Sequence, residues 1–147
     1  MKKCFVIALA LCSLGIACKS TKNTAAATAA TTSDPSKLNG TWELNYIAGS
    51  SMDFKDLYPN KKPMITFQVA EGKVNGNTGC NTFIGSLNAN GNKIDFTDPL
   101  ALSRMACPGD GESTFLETLK KVNTYSVNGK TLNFIMGDIA VMRFEKK

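Results

Sequence analysis

Between residues 38 and 47 the chain alternates: Trp42, Leu44 and Tyr46 fall on one face, Glu43 and Asn45 on the other. Period-two alternation predicts a half-buried strand. Ala48-Gly49-Ser50-Ser51 breaks it, and residues 53–58 predict a short helical turn ended by Pro59. Residues 64–69 form the next strand, with a turn at Glu71-Gly72 and a return over 73–76. Segments 83–87 and 93–96 flank Asn88-Ala89-Asn90-Gly91-Asn92, a hairpin loop whose Asn-Gly step suits positive φ. Residues 100–106 are a further extended piece. Then the period changes. Phe115, Leu116, Leu119 and Val122 mark one helical stripe, with Asp110 placed as a cap, Glu112 in the first turn and Lys120-Lys121 at the end. Residues 124–127 and 131–135 predict a hairpin through Asn128-Gly129, and Gly137-Asp138 turns once more into 139–144.

This order of elements predicts an α+β, mostly antiparallel β fold: a partly closed barrel-like sheet of about eight short strands with one helix. A two-sheet sandwich is the alternative. A cavity separates a ligand-binding domain from a protein-interaction one: in the first case the strand in which Met64, Thr66 and Gln68 alternate with Ile65, Phe67 and Val69 should line an interior pocket. No internal repeat is visible.

The amino terminus follows other rules. Met-Lys-Lys precedes an apolar run over 5–16, the make-up of a secretory signal. The run is shorter than the ~20 residues a bilayer-spanning helix needs. Leu14-Gly15-Ile16-Ala17-Cys18 resembles the lipobox cut by lipoprotein signal peptidase, with Leu14 one place earlier than usual. Cys12 follows the bulky Leu11 and Cys4 follows no apolar run, so Cys18 is the expected site of acylation, including palmitate. Several acyl chains anchor stably where one binds only marginally. Residues 1–17 are therefore read as a lipoprotein signal peptide, 18–36 as a lipidated Cys and flexible tether, and 37–147 as a folded domain. The tether, rich in Thr, Ala, Ser and Lys, lacks the apolar surface to offset its ordering entropy. It spans on the order of 25 Å by random-coil scaling. Lys19-Ser20 after the cysteine carries no acidic retention or surface-export pattern, which points to the outer membrane, facing the periplasm.

A domain of roughly 110 residues is long enough for a self-sufficient core. The net charge of +5 includes Lys2 and Lys3, which would leave with the signal. The remaining basic residues are scattered, so neither charge nor location calls for nucleic acid. The chain contains no histidine. That removes Ser-His and Cys-His dyads and the commonest zinc ligand. No metal or cofactor is expected.

Gly76-Asn77-Thr78-Gly79-Cys80-Asn81-Thr82-Phe83-Ile84-Gly85 resembles the G-x-x-G-C-N-x-F-x-G signature of META (HslJ-like) domains. Leu38-x-Gly40-x-Trp42-x-Leu44 resembles that family's opening strand. Ser103-Arg104-Met105-Ala106-Cys107, followed by Glu112-x-x-Phe115-Leu116-x-x-Leu119, resembles its second signature, with Ser103 where Thr is frequent. The resemblance runs from about Leu38 to Phe144 and implies an envelope lipoprotein linked to heat shock or to novobiocin resistance. Some members resemble the cracked barrels of pilotin lipoproteins, which bind lipid tails. The family supplies no catalytic residues.

Read on their own, Gly72, Gly76, Gly79 and Gly85 serve turns, bulges or close backbone approach. A phosphate-cradling loop would need a Lys-Ser/Thr ending and a following helix, and has neither. Asn81 is read as bonding its own backbone or capping a turn, and Trp42 as core. Cys80 and Cys107 are the thiols left in the folded domain, and an oxidising periplasm favours a bridge between them. A reactive cysteine with Arg104 as its nearby positive charge is the alternative.

The expected function is a non-enzymatic envelope lipoprotein, stress- or resistance-associated. It would bind a small hydrophobic or peptide ligand, or serve as an accessory module. A structural or protein-interaction module of an outer-membrane complex is the second expectation. An enzyme would have to draw on Glu43, Asp53, Asp95, Asp98, Asp110 and Glu112, whose spacing suggests no carboxylate pair.

Overall fold

A computed structural model describes residues 34–147; the expected signal peptide, Cys18 and most of the expected tether lie outside the described residues. A 3-10 turn over Pro35–Leu38 reaches back into the stretch read as tether and buries Leu38. The strands are β1 (Gly40–Ile47), β2 (Met64–Gln68), β3 (Lys73–Asn77), β4 (Thr82–Ser86), β5 (Asn88–Asn90), β6 (Lys93–Asp95), β7 (Ala101–Leu102), β8 (Thr124–Asn128), β9 (Thr131–Met136) and β10 (Ile139–Lys146). Two helices join them, α1 (Phe54–Leu57) and α2 (Gly111–Leu119).

All ten strands belong to one sheet in the order β5-β6-β8-β9-β10-β1-β2-β3-β4-β7, so the sandwich alternative falls. Every pairing in it is antiparallel. β4 and β5 stand near opposite ends of that order, yet Leu87 alone separates them in the chain. The sheet must therefore curl into a half-barrel to bring its ends together. The strand count exceeds the expected eight because the Asn88-to-Asn92 loop is itself partly strand. β4 does not pair with β6. Its edges are taken by β3 and β7, and Asn88–Asn90 becomes the partner of β6 around a Gly91-Asn92 turn. Only Ala101–Leu102 of the extended 100–106 piece pairs as strand.

Two irregularities redirect side chains. Between Leu44 and Tyr46 the β1–β10 register slips by one residue. A one-residue slip exchanges the faces of everything beyond it. Tyr46 therefore turns outward under Arg143, whose guanidinium sits 5.4 Å from the ring centre, and Ile47 turns inward instead. A second slip, between Ala140 and Met142, buries both Val141 and Met142. The β8–β9 turn is likewise offset: Asn128 pairs with Thr131, leaving Gly129-Lys130 as the loop, with Gly129 at φ 57°.

The interior is packed with aromatic and aliphatic side chains. Phe134 packs against Phe67, Phe96 and Phe144 at centroid distances of 6.4, 5.4 and 5.1 Å. Trp42 is fully buried, its Nε1 donating to Leu38 O at 2.6 Å. α2 adds Phe115, Leu119 and, just beyond its end, Val122 to the same core. Burying each such side chain contributes about 1.5–3 kcal/mol. Ile65 and Phe67 are part of this core, Met64, Thr66 and Gln68 lie half-buried on the other face, and Val69 has left the strand for a 3-10 turn. The β2 alternation serves packing, so the interior pocket expected of a ligand-binding domain is not lined by this strand, and a ligand would have to be held at the surface.

Candidate functional site

The two signature segments meet at one corner of the sheet. β3 delivers the first, and residues 78–81 turn it back into β4. The turn holds itself together: Asn77 Oδ1 accepts from Gly79 N at 3.0 Å, and Thr78 N donates to Asn81 O at 2.8 Å. Gly79 sits at φ 95°, and a Cβ there would lie 2.8 Å from the Tyr58 ring. Gly76 faces a different constraint, since a Cβ would stand 2.0 Å from the Met64 carbonyl oxygen. Close approach, rather than backbone freedom, selects that glycine. At Gly85 a Cβ would meet only the end of the Leu100 side chain, which can give way.

Asn81 does not bond its own backbone, as expected from sequence, but stitches the corner together. Its Oδ1 accepts from Ser103 Oγ and from Met105 N, both at 2.8 Å. Its Nδ2 donates to Met105 O and Glu112 Oε1 at 3.1 Å and to Cys107 Sγ at 3.0 Å. Glu112 Oε2 accepts from Thr78 Oγ1 at 2.5 Å and from Asn81 N at 3.2 Å. Thr78 and Asn81 are both buried. A buried amide with every polar atom engaged orders the loops it touches, because leaving any partner unmet costs about 1–3 kcal/mol. Among the described residues no buried side-chain nitrogen or oxygen lacks a partner.

Cys80 and Cys107 are bridged, with Cα atoms 5.9 Å apart. The bridge and Asn81 act in parallel, one covalent and one polar, on the same pair of segments. The reactive-thiol alternative, with Arg104 as neighbouring charge, is not the state observed. Phe83 points the other way, into the core, where its ring meets Phe115 at 6.1 Å. Arg104, Met105 and Ala106 are exposed.

Sequence reasoning missed the role of Glu112. It occupies the first turn of α2 as expected, but its carboxylate reaches residues 31 and 34 positions away. Asp110 stands at the cap position without a side-chain cap bond; its carbonyl instead accepts from Thr114 N and Ser113 Oγ. Nothing local in the sequence distinguishes these two acids. Of the other acids, Glu43 is held between Lys62 and Lys147, and Asp98 accepts from Asn88. Bonds from the Thr97 backbone and side chain hold Asp95 below the ordinary carboxylate value.

Over this corner lies a cleft of about 370 Å³, floored by Thr78, Cys80, Cys107 and Glu112. Tyr58 and Lys61 form one wall, and Met52 and Met105 stand at its rim, 45% and 61% exposed. Burial raises the Tyr58 hydroxyl well above its ordinary value, and it donates to Gly111 O at 2.9 Å. A depression of about 470 Å³ lies beside β5 and β6, and another of about 320 Å³ lies between α2 and Leu100. Among the described residues no helix is long and apolar enough to cross a membrane.

No curated protein matches the chain. Solved structures do. An NMR structure of a protein from Burkholderia xenovorans is 21% identical, with a TM-score of 0.59 over 78% of this chain and 88% of that one. A second NMR structure is 18% identical, with a TM-score of 0.56 over 77% and 94%. A crystal structure of a DUF4847 family protein from Bacteroides vulgatus ATCC 8482 is 15% identical, with a TM-score of 0.52 over 75% and 94%. At these identities the likeness concerns the fold. Family membership rests on the sequence pattern itself: the META domain model matches residues 36–147, in which both signature loops meet at the corner described above, and the chain belongs to the META domain family.

Proposed function

We propose that this protein is a non-enzymatic, lipid-anchored envelope module whose META domain binds a small hydrophobic or peptide ligand in the cleft over its signature loops. The observation that carries the reading is the construction of that cleft. Its floor is locked by the disulfide and by Asn81, so its shape is set before any ligand arrives. Its rim carries two exposed methionines, flexible side chains suited to irregular apolar partners. A volume of about 370 Å³ falls in the range of small-ligand sites. Most of the polar groups of the floor are spent on one another, which favours holding a ligand over transforming one.

The anchor in this reading is acylated Cys18, with residues 1–17 removed and the domain tethered to the outer membrane on its periplasmic side. The stress or resistance association comes with the family resemblance. Native mass spectrometry of the detergent-extracted protein tests both parts. The chain is expected to begin at an acylated Cys18 and to carry a non-covalent adduct that is lost on denaturation and weakened by Met105→Asp. An unprocessed chain removes the anchor, and a bare mass removes the ligand.

A second reading, a protein-interaction module, has its own support. Met136 and Ile139, 40% and 64% exposed, flank the tip of the β9–β10 hairpin on a surface separate from the cleft. Loss of partner binding in Ile139→Lys, with the cleft variants silent, would favour it.

A further inference from the structure

On the floor of the cleft, Cys80 Sγ, Cys107 Sγ and a carboxylate oxygen of Glu112 lie within 4.8 Å of one another. While the bridge is closed, both sulfurs are spent on each other. Opened, they become two thiols, and the thiolate is the form that binds metal. We propose that the reduced form of this corner is a divalent-metal site of the zinc class. Cys80, Cys107 and Glu112 supply three ligands, and a water in the cleft supplies the fourth.

Three observations carry the assignment. First, the thiols stay together after the bond is cut. Asn81 accepts from Ser103 Oγ and Met105 N and donates to Met105 O, so it clamps the strand of chain that ends at Cys107 onto the turn that holds Cys80. None of these bonds involves the disulfide. Second, the carboxylate is already oriented. Thr78 Oγ1, Asn81 N and Asn81 Nδ2 occupy three of its roughly four acceptor positions and leave one for an ion. Asn81 Nδ2 also donates to Cys107 Sγ at 3.0 Å. Bonds of this kind, from groups behind the ligands, fix ligand geometry and typically set affinity by 10–100-fold. Third, the floor is half-buried but reached from the cleft, which provides entry and a place for the water. Two thiolates and a carboxylate suit tetrahedral, borderline-soft Zn²⁺ and exclude Ca²⁺ and Mg²⁺, which want oxygen alone.

The chemistry balances with a dithiol as reductant. Its two sulfhydryls give two electrons and two protons to the bridge, leaving as a cyclic disulfide and producing two cysteine thiols. Metal binding then releases the two thiol protons to solvent. The ion takes the place of the lost bond as the link between the signature loops. This inference does not rest on the ligand reading of the cleft, because it concerns the floor alone.

The test uses the full chain in detergent, reduced by a dithiol, desalted without oxygen and titrated with Co²⁺. The expected result is one equivalent bound, with a thiolate-to-cobalt charge-transfer band that Zn²⁺ abolishes by displacement. The oxidised protein and Cys80→Ser/Cys107→Ser lack that band, and Glu112→Gln binds more than about tenfold more weakly with the band retained. In parallel, Zn²⁺ raises the melting temperature of reduced but not oxidised wild type, a readout that needs no variant to fold. The proposal is overturned if reduced wild type binds no more Co²⁺ than the double serine variant. It is overturned equally if Glu112→Gln binds with wild-type affinity or Zn²⁺ leaves the reduced melting temperature unmoved. Adduct loss in the Met105→Asp test is independent of all these outcomes.

Discussion

The hairpin side of the sheet and the signature corner solve the same problem by different physics. β8, β9 and β10 follow one another through two tight turns, Gly129-Lys130 and Gly137-Asp138, and present Tyr125, Leu132, Phe134, Met142 and Phe144 to one core. Their contacts are local in sequence and apolar, so no single polar bond decides them. The signature corner joins residues 78–81 to residues 103–112 across a sequence gap that no turn can close. It uses a covalent bridge and an amide with all of its polar atoms engaged. Apolar packing tolerates changes of shape better than polar networks tolerate the loss of one member. The corner therefore gains specificity of geometry, while the hairpins supply bulk stability.

The largest blow to that contrast falls on the hairpin side. Phe134→Ala removes the ring at the centre of three aromatic contacts and is expected to cost about 3–5 kcal/mol, read as a fall in the urea midpoint with an unchanged slope. At the corner, Cys80→Ala/Cys107→Ala opens a link across 27 residues and should cost about 3.5 kcal/mol in the chain-entropy model. If the double variant costs less than about 1 kcal/mol, the bridge is redundant with Asn81.

Asn81→Ala comes next. It strands Met105 N and one face of Glu112, at an expected cost of about 2 kcal/mol. The same variant should raise proteolytic cleavage within residues 103–109 while leaving the hairpins protected from hydrogen exchange. A cycle of Asn81→Ala with Glu112→Gln should show coupling of about 0.5–3 kcal/mol, whereas Asn81→Ala with Phe134→Ala, which share no partner, should add. Coupling between the latter pair would erase the distinction drawn between the two regions.

The smallest effect is Tyr58→Phe, about 1 kcal/mol for the lost bond to Gly111 O. It carries a pH signature. Burial raises the folded hydroxyl above its ordinary value of 10.0, so the stability it supplies is complete below pH 10 and drains away as pH rises beyond it. Tyr58→Phe should flatten that alkaline decline, leaving the share due to Tyr125, which is also raised by burial. An alkaline slope identical in both proteins would place the titration elsewhere.

Much of this architecture was legible in the chain. Alternation located β1 and β2, glycine turns located the last three strands, and the helical stripe located α2, because each of these depends on neighbours within a few positions. The strand count failed where one residue, Leu87, carries the chain from one end of the curled sheet to the other. No local pattern announces such a transfer. The facing of Tyr46 failed for a related reason: a bulge is set by the partner strand, and periodicity is blind to it.

The site divides the same way. The sequence by itself determined its membership: the Gly-Cys-Asn turn, the Met-Ala-Cys segment and the absence of histidine, which limits the chemistry any corner of this chain can perform. Only the tertiary structure decided who meets whom. Short-range rules assign polar residues to the nearest backbone, so they make Asn81 a local backbone bond or turn cap and Glu112 a charge for the helix dipole. Folding brought both to one point, where their alternatives in water were lost on burial and each became the other's partner. Burial turns polar groups that sequence treats as independent into a single interlocked set, and that coupling exists only once the sheet has curled.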